Sequence, residues 1–142
     1  MTKYIPVRLQ KKPAKKKKLT SIPNLKKKLW SLCRAITEKK YPNRCYTCDR
    51  PVEGSNRQLG HCIPSSIGGA NCRYHLDNLR WQCYNCNINC GGQGAEYYKR
   101  LVKEIGQERV DDLFDLKEKN VSAGRYFYTE HIEDYTRLLL EA

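Results

Sequence analysis

Long apolar runs are what this sequence most clearly lacks. No stretch approaches the roughly 18 consecutive apolar residues of a membrane span, and the first residues contain no apolar core of a signal peptide. We therefore expect an intracellular, cytoplasmic protein with no membrane partner. In a reducing compartment, its eight cysteines are better explained as metal ligands or buried thiols than as a disulfide framework.

Acidic residues are nearly absent from the first 40 positions. This segment carries 14 Lys and Arg residues against a single acid, Glu38, so the excess behind the net charge of +12 belongs to it. Residues 1–23 also lack hydrophobic periodicity and include the run Lys15, Lys16, Lys17 and Lys18. We expect a disordered basic arm that is attracted to a polyanion such as nucleic acid. A solubility arm or a targeting tract is the alternative explanation.

Aliphatic residues are sparse between positions 41 and 94, where turn-forming residues separate short segments. Such a region cannot bury enough apolar area to hold itself together. It contains two Cys-x-x-Cys knuckles, Cys45–Cys48 and Cys83–Cys86, with 34 residues between them. Two such turns supply the four thiolates of a structural zinc site, which contributes about 10–16 kcal/mol in small zinc domains. Chance cysteine usage or a redox pair is the alternative.

The remaining four cysteines follow no recognisable spacing. Cys33 falls on the apolar face of a predicted helix, and we expect it to be a core residue. A second metal site formed by Cys62, Cys72 and Cys90 is one interpretation, but we prefer to interpret these residues as free thiols.

The rest of the chain is helical in pattern. The segment after Asn24, a predicted N-cap, places Leu29 and Cys33 on one face and Lys26, Lys27 and Lys28 on the other. A helix over 95–105 is predicted to end at Gly106, a second to follow it, and a third to begin at Thr129. With 142 residues there is room for one α+β domain.

Five motifs together resemble one family. In order, the sequence contains LKKKLWSL, CYTC, GHCIPSSIGG, CRYHLDNLRWQCYNCN and EYYKRLVKEIG. These resemble the NinG/Rap family of phage recombination endonucleases, within the HNH (ββα-metal) nucleases, over residues 24–106. The resemblance implies a small zinc-stapled ββα-metal core with a leading helix, flanked by the arm at 1–23 and a helical extension at 107–142. It also implies a phage-encoded, structure-selective DNA endonuclease that acts in the host cytoplasm on D-loops or Holliday junctions.

The resemblance also implies roles for particular residues. His61 matches the general base, Asn78 the residue that orients the histidine ring and the hairpin, and Asn87 a ligand of the catalytic Mg²⁺ or Mn²⁺. Gly60 stands where many HNH members have an aspartate that binds the ion. The first ligand is therefore left open between four residues: His61 itself, Asp49, Asn85 and Asn89.

The chemistry also makes sense from the residues alone. Hydrolysis of a phosphodiester needs a base that is neutral near pH 7, which suits imidazole with a pKa of about 6.5, and a cation to offset the charge. Arg73 and Arg80 flank His61 and are expected to contact phosphate, or else to pair with Asp77. A histidine that only bonds the backbone, or that binds zinc, is the structural alternative for His61.

Two hypotheses therefore come from the sequence. The first is a metal-dependent endonuclease that binds branched DNA. The second is a zinc-stabilised nucleic-acid-binding module without catalysis. A homodimer is an open alternative to a monomer, because cutting both strands of a symmetric junction favours a two-fold pair.

The basic arm generates the first prediction. Deleting residues 1–20 should weaken DNA binding and flatten its salt dependence, because each phosphate contact adds about 0.9 to the slope of log K against log salt. Fluorescence anisotropy at several salt concentrations measures that slope. An unchanged slope would mean that the arm makes no phosphate contacts.

Overall fold

The structure is a computed structural model and describes residues 19–119 and 123–142. The lysine run from Lys15 to Lys18 and most of the predicted arm lie outside the described residues. Within them the fold is rich in helix and contains one small antiparallel sheet, as expected for the α+β class. No helix in these two described ranges combines the length and the apolar character needed to cross a lipid bilayer.

Helices surround a two-stranded hairpin. The elements are, in chain order, α1 (Ile22–Lys40), β1 (Gln58–His61), α2 (Ser65–Arg73), β2 (Leu79–Gln82), α3 (Gly94–Ile105), α4 (Gln107–Lys117) and α5 (Arg125–Glu141). The first cysteine knuckle precedes β1 and the second follows β2. Both knuckles therefore lie at the same end of the sheet, because the strands are antiparallel.

Helix α1 begins earlier than the sequence predicted. Ser21 is the N-cap, and its Oγ accepts a hydrogen bond from the Asn24 N–H, so the prediction of Asn24 as the cap was wrong. The reason is Pro23, which is compatible with the first turn of a helix because that turn needs no N–H there. The buried stripe includes Leu25, Leu29 and Cys33, which confirms the core position of that cysteine.

The two faces of the sheet have different roles. His61 pairs with Leu79 and Leu59 with Trp81, so these four residues share one face and pack toward α1. The opposite face carries Gln58, Gly60, Arg80 and Gln82. His61 is thus the last residue of β1 and lies on the α1 side.

A second core cluster lies between α2, α3 and α4. It contains Tyr97 and Leu101 from α3 and Val110 and Leu113 from α4, all at most 1% exposed. Gly106 joins the two helices with φ of +91°, a value that favours glycine, and the prediction of this residue as the end of α3 is confirmed.

Helix α5 packs along α1 and closes the first core cluster. It begins at Arg125 after the N-cap Gly124, so the prediction that Thr129 caps it was wrong. Thr129 lies inside the helix, where its hydroxyl donates to the Tyr126 carbonyl. Tyr128 is buried against the core, and the Tyr135 hydroxyl donates to the Tyr74 carbonyl. The C-terminal helices therefore pack on the hairpin region and complete its core.

Arg80 is a buried structural residue and is not free to contact DNA, which corrects the expectation from the sequence. Its side chain is 1% exposed, and its guanidinium donates to both carboxylate oxygens of Glu104 at 3.0 and 3.2 Å. It also donates to the Leu76 and Leu79 carbonyls. The charge of Arg80 is thereby neutralised inside the protein, and Asp77 pairs with a different residue, Arg109.

Glu104 generates the second prediction. Burial favours a higher pKa for Glu104, but Arg80 and two tyrosine hydroxyls outweigh it and hold the pKa below its usual value. We expect Glu104→Gln to lower the free energy of unfolding by about 2 kcal/mol at pH 7, less than for a fully buried pair because Glu104 is 34% exposed. Urea denaturation measures the loss.

The same substitution has a pH signature. A depressed folded-state pKa adds stability above the unfolded pKa of about 4.3, and that stability is lost as the pH falls through the folded value. The difference between wild type and Glu104→Gln should therefore disappear in acid. Glu108→Gln, an exposed residue of α4, is the matched control and should behave as wild type. A difference that stays constant down to pH 3 would contradict the role of the ion pair.

Candidate metal centre and histidine site

Four cysteine sulfurs converge at the end of the sheet. The Sγ atoms of Cys45, Cys48, Cys83 and Cys86 all lie within 4.8 Å of one another. Cys48 Sγ and Cys83 Sγ are 3.8 Å apart, which is about the edge of a tetrahedron built on Zn–S bonds of about 2.3 Å. The residues therefore fit a zinc ion, and the prediction that the two knuckles share one metal site is supported.

Backbone hydrogen bonds shape each knuckle before any ion binds. In the first, the Cys45 N–H donates to the Arg50 carbonyl and the Asp49 N–H donates to the Cys45 carbonyl, with Asp49 in the left-handed region. In the second, the Cys86 N–H points at Cys83 Sγ at 3.4 Å. The Tyr46 N–H donates to the Trp81 carbonyl and ties the first knuckle to β2.

The electrostatics of the cluster favour a thiolate at Cys45. Burial favours a higher pKa there, but hydrogen bonds from the Thr47 hydroxyl and from backbone N–H groups outweigh it and bring the pKa to about 6. Burial raises the pKa of Cys86 to about 12. An ion that binds all four sulfurs must therefore displace protons, so its affinity falls as the pH falls.

The other cysteines do not form a comparable group. Among the described residues, the four knuckle cysteines are the one cluster of three or more His, Cys, Asp or Glu side chains placed to share an ion. Cys62 and Cys72 are buried in the second core cluster, and Cys90 is exposed. Cys62, Cys72 and Cys90 are thus not placed in a metal-ligand cluster among the described residues, and their interpretation as free thiols stays a prediction.

His61 is half-buried beside α1 and α2. Its Nε2 lies 3.0 Å from the Arg73 carbonyl, and its ring stacks on Trp30 with centroids 5.6 Å apart and 16° between planes. Burial lowers the pKa of His61, the Arg73 carbonyl opposes that shift, and the charge of Arg73 adds to it. The net lowering favours the neutral imidazole at pH 7.

Asn78 holds the chain that follows the histidine. Its Oδ1 accepts from the Ile63 N–H at 2.8 Å, and its Nδ2 donates to the Ile63 and Cys72 carbonyls, both at 2.9 Å. Its own carbonyl accepts from the Cys62 N–H. Asn78 therefore fixes the end of the hairpin, as the resemblance implied, while the histidine ring itself is contacted by other groups.

Tyr97 holds the backbone next to the histidine. Its hydroxyl is within hydrogen-bonding distance of the Gly60 carbonyl at 3.1 Å and of the Asn78 carbonyl at 3.2 Å. Sequence analysis did not identify this role, because a hydroxyl that reaches a strand 37 residues away leaves no local pattern.

Gly60 is explained by its neighbour across the sheet. A Cβ at Gly60 would lie 1.8 Å from Gln82 Oε1, so the side chain of Gln82 occupies the space that an aspartate would need. Gln82 is fully buried, and its Nε2 donates to the Thr47 hydroxyl and the Gly92 carbonyl. Gln82 thus ties β2 to both knuckles, and its Oε1 is left without a hydrogen-bond partner in the described structure.

Asn87 and His61 are not brought together. Asn87 lies in the π-helical turn Asn85–Asn89, and its Nδ2 donates to Gln58 Oε1 at 2.8 Å. Gln58 is three residues before His61 and on the other face of β1, which separates the two positions by about 10 Å along the strand. Asn87 therefore contacts the first residue of β1, whereas His61 is the last.

The other residues considered as ligands have protein partners. Asp49 pairs with Arg100, Asn89 donates to Asn85, and Asn85 donates to Cys90. The oxygen donors next to Asn87 are neutral amides, a weaker set than the carboxylates with which proteins hold Mg²⁺. The described residues therefore do not present a preformed site for the catalytic cation that the resemblance implied.

A basic cleft lies beside His61. It has a volume of about 530 Å³ and is lined by Lys26, Lys27, Trp30, Ser65, Gly69, Ala70, Arg73, Tyr74 and Tyr128. Three of these residues are cations and none is an acid, so the cleft carries uncompensated positive charge. Trp30 and Arg73, the two residues that contact the His61 ring, both belong to its wall. Sequence analysis identified the cations but missed Trp30 and Ser65 as their neighbours.

Comparison with protein families assigns the chain. The family described as bacteriophage lambda NinG protein matches residues 6–138, nearly the whole length. The chain belongs to the NinG family. Comparisons with curated proteins and with solved structures gave no significant match.

The NinG match extends beyond the motifs that suggested it. The resemblance in the sequence covered residues 24–106, whereas the family covers both knuckles, the hairpin and the described part of α5 as far as residue 138. The family match therefore includes most of α5, the helix that packs on α1.

The metal centre generates the third prediction. We expect Cys45→Ser to lose the bound zinc and to unfold the region between the knuckles, because the sparse apolar residues there cannot replace an ion worth about 10–16 kcal/mol. Elemental analysis and thermal unfolding measure the two effects. Cys90 lies outside the cluster, so Cys90→Ser is the control and should keep the bound zinc and the thermal stability of the wild type. A zinc-free Cys45→Ser variant with the thermal stability of the wild type would contradict the structural role.

Proposed function

We propose that this NinG protein is an endonuclease of the HNH type that hydrolyses phosphodiester bonds in DNA, with His61 as the general base. The observation that carries the proposal is a histidine with one free ring nitrogen that contacts Trp30 and Arg73, two residues that line a cleft with three cations and no acid. The order of the elements supports it: a strand that ends in Gly60-His61, then Asn78, a second strand, a cysteine knuckle and Asn87.

The hydrogen bond to Arg73 defines the state of the histidine. A carbonyl oxygen can only accept, so the ring nitrogen that contacts it, Nε2, carries the hydrogen. In the neutral ring Nδ1 then has a free lone pair. Nδ1 has no hydrogen-bond partner among the described residues, yet it is not sealed from solvent. This nitrogen is the one suited to take a proton from the attacking water.

The cleft is suited to the phosphate that is attacked. The ammonium groups of Lys26 and Lys27 and the guanidinium of Arg73 supply charge-assisted hydrogen bonds to phosphate oxygens. None of the three has an acidic partner in the described part of the chain, so each is free to neutralise a phosphate. Lys28 and the arm residues Lys15 to Lys18 extend this basic surface in the proposal, whereas Arg80 does not.

A Mg²⁺ or Mn²⁺ ion, when bound, would offset negative charge on the phosphate and on the leaving oxygen. Asn87 is the residue that the family pattern assigns to it. Because the neighbouring donors are neutral amides, we expect the protein alone to bind such an ion weakly. The chain's own contribution is to hold the histidine, through Asn78 and Tyr97, and to bind the DNA backbone.

Branched DNA is the proposed substrate, and it rests on the family pattern. The features of the cleft agree with it, because cations that contact phosphate give affinity without reading base identity. An enzyme of this kind selects by the shape of the DNA. A two-fold dimer would match the symmetry of a four-way junction.

A non-catalytic nucleic-acid-binding module is the second candidate. The observation that favours it is the separation of Asn87 from His61, which leaves the metal constellation of the family pattern incomplete. In that case the stacked histidine is part of the packing between α1 and the hairpin.

The base assignment generates the fourth prediction. We expect His61→Ala to lower the rate of cleavage of a four-way junction in Mg²⁺ or Mn²⁺ by about 10²–10⁴-fold, the usual effect of removing a general base. Affinity for the same junction should be unchanged. Cleavage of labelled four-way, nicked and linear DNA, with anisotropy for binding, measures both effects.

His131→Ala is the matched control, because His131 is a part-buried histidine of α5 that bonds a backbone carbonyl and lies outside the cleft. It should cleave as the wild type does. Full cleavage by His61→Ala would show that His61 is not the base. A wild-type protein that binds junctions but cuts none of them with any divalent metal would favour the binding module.

A further inference from the structure

Trp30 stacks on the His61 ring. The two rings are nearly parallel, with 16° between planes and centroids 5.6 Å apart. The histidine ends β1, whereas the tryptophan comes from the middle of α1, 31 positions earlier in the sequence. A helix that precedes both cysteine knuckles thus supplies one wall of the histidine site.

Trp30 is itself held in place. Its position in α1 follows Leu29, which is fully buried against the sheet, so the indole lies at the edge of the buried stripe. Tyr74 meets the indole edge-on, with centroids 6.2 Å apart and 78° between planes. Neighbours from α1 and from the end of α2 thus restrict the orientation of the indole, so that a second ring can stack on a fixed plane.

Arg73 links the indole to the histidine a second time. Its guanidinium carbon lies 4.5 Å from the centroid of the Trp30 ring, and its carbonyl accepts the His61 Nε2 hydrogen. Its Nη1 is also 3.4 Å from the Ser65 hydroxyl. The three side chains therefore support one another: the plane of the imidazole is set by Trp30, and the direction of its Nε2–H by the Arg73 backbone.

A base needs this kind of restraint. An imidazole on a strand end can rotate about two side-chain bonds, and a misplacement of about 1 Å can cost about a hundredfold in rate. One hydrogen bond fixes a direction but leaves rotation about that bond free. A stacked ring removes that remaining rotation, since turning the imidazole would drive it into the indole.

We propose that Trp30 is the positioning residue of His61: its ring fixes the imidazole so that Nδ1 is presented at the wall of the basic cleft. This inference rests on the proposed role of His61 as the base. It assigns a function to α1 beyond its packing and its lysines.

The charged residues of the described structure that face the ring or line the adjacent cleft are cations, so a change in the stacking has a predictable direction. Arg73 faces the ring from α2, and Lys26 and Lys27 line the same cleft from α1. Burial and the charge of Arg73 both lower the pKa of His61. Replacing the indole with a smaller aliphatic group exposes the imidazole, so the pKa should rise toward the ordinary value of about 6.5.

The first test uses the unaltered zinc-loaded protein. In its NMR spectrum, stacking on the indole predicts that the two carbon-bound ring protons of His61 resonate upfield of random-coil values and of those of His75, with cross-relaxation to the Trp30 ring. Random-coil shifts and no cross-relaxation would overturn the proposal, and no substitution that risks misfolding is needed.

The second test compares Trp30→Leu with Trp30→Phe. We expect Trp30→Leu to slow junction cleavage about tenfold to a hundredfold at pH 7 and to move the acid limb of the pH–rate profile to higher pH. Trp30→Phe keeps an aromatic ring and should therefore restore most of the cleavage rate and of the wild-type pH–rate profile. Tyr126→Leu, at an exposed aromatic residue of α5 outside the cleft lining, is the matched control and should cleave as the wild type does. Wild-type rates and profiles in Trp30→Leu would overturn the proposal.

The positioning role of Trp30 and the role of His61 as the base can be tested separately. The pKa of His61 is read by NMR titration with Mg²⁺ and DNA absent, so it tests the positioning even if no cleavage occurs. Unchanged titration of His61 in Trp30→Leu would refute the positioning role alone. Loss of cleavage in Trp30→Leu without any rise in the His61 pKa, and without rescue by Trp30→Phe, would also count against it.

Discussion

The convergence of four thiolates at one end of a short hairpin is the constraint on which the rest of the fold depends. A two-stranded sheet of four residues a strand is marginal by itself. Here one knuckle precedes the first strand and the other follows the second strand. Cys48 Sγ and Cys83 Sγ lie 3.8 Å apart. Gln82 strengthens the junction, because its amide bonds Thr47 in the first knuckle and Gly92 after the second. A single ion bound there would hold both strands together at this end of the hairpin.

The far end of the hairpin carries the histidine, and its order comes from several helices. Asn78 and Tyr97 hold the backbone on either side of His61, and Trp30 and Arg73 hold its ring. These groups belong to α1, α2, α3 and the turn before β2. Burial of a ring is costly unless its polar atoms are satisfied, and here Nε2 is bonded to the Arg73 carbonyl while Nδ1 is not sealed from solvent. The arrangement combines restraint with access, as the proposed role of His61 requires.

Local patterns in the sequence were enough to predict the knuckles, the buried Cys33 and the end of α3 at Gly106, because each depends on spacing or on a single backbone angle. Features that depend on distant partners were not predictable. Arg80 stands near the site in sequence, yet Glu104, 24 positions later, neutralises it inside the core. Gly60 stands where the resemblance predicts a metal ligand, and the reason for the glycine is that the Gln82 side chain fills the space of a Cβ there. The stack of Trp30 on His61 leaves no periodic trace at all, and the caps of α1 and α5 were misplaced because Ser21 and Gly124 compete with equally good candidates nearby.

X-ray absorption at the zinc edge of the purified full-length protein tests the central claim most directly. The account predicts one zinc per chain, surrounded by a single shell of four sulfur atoms at about 2.3 Å. A shell that contains nitrogen or oxygen, or a folded protein that holds no zinc, would contradict it, because the hairpin would then owe its order to something other than the four thiolates.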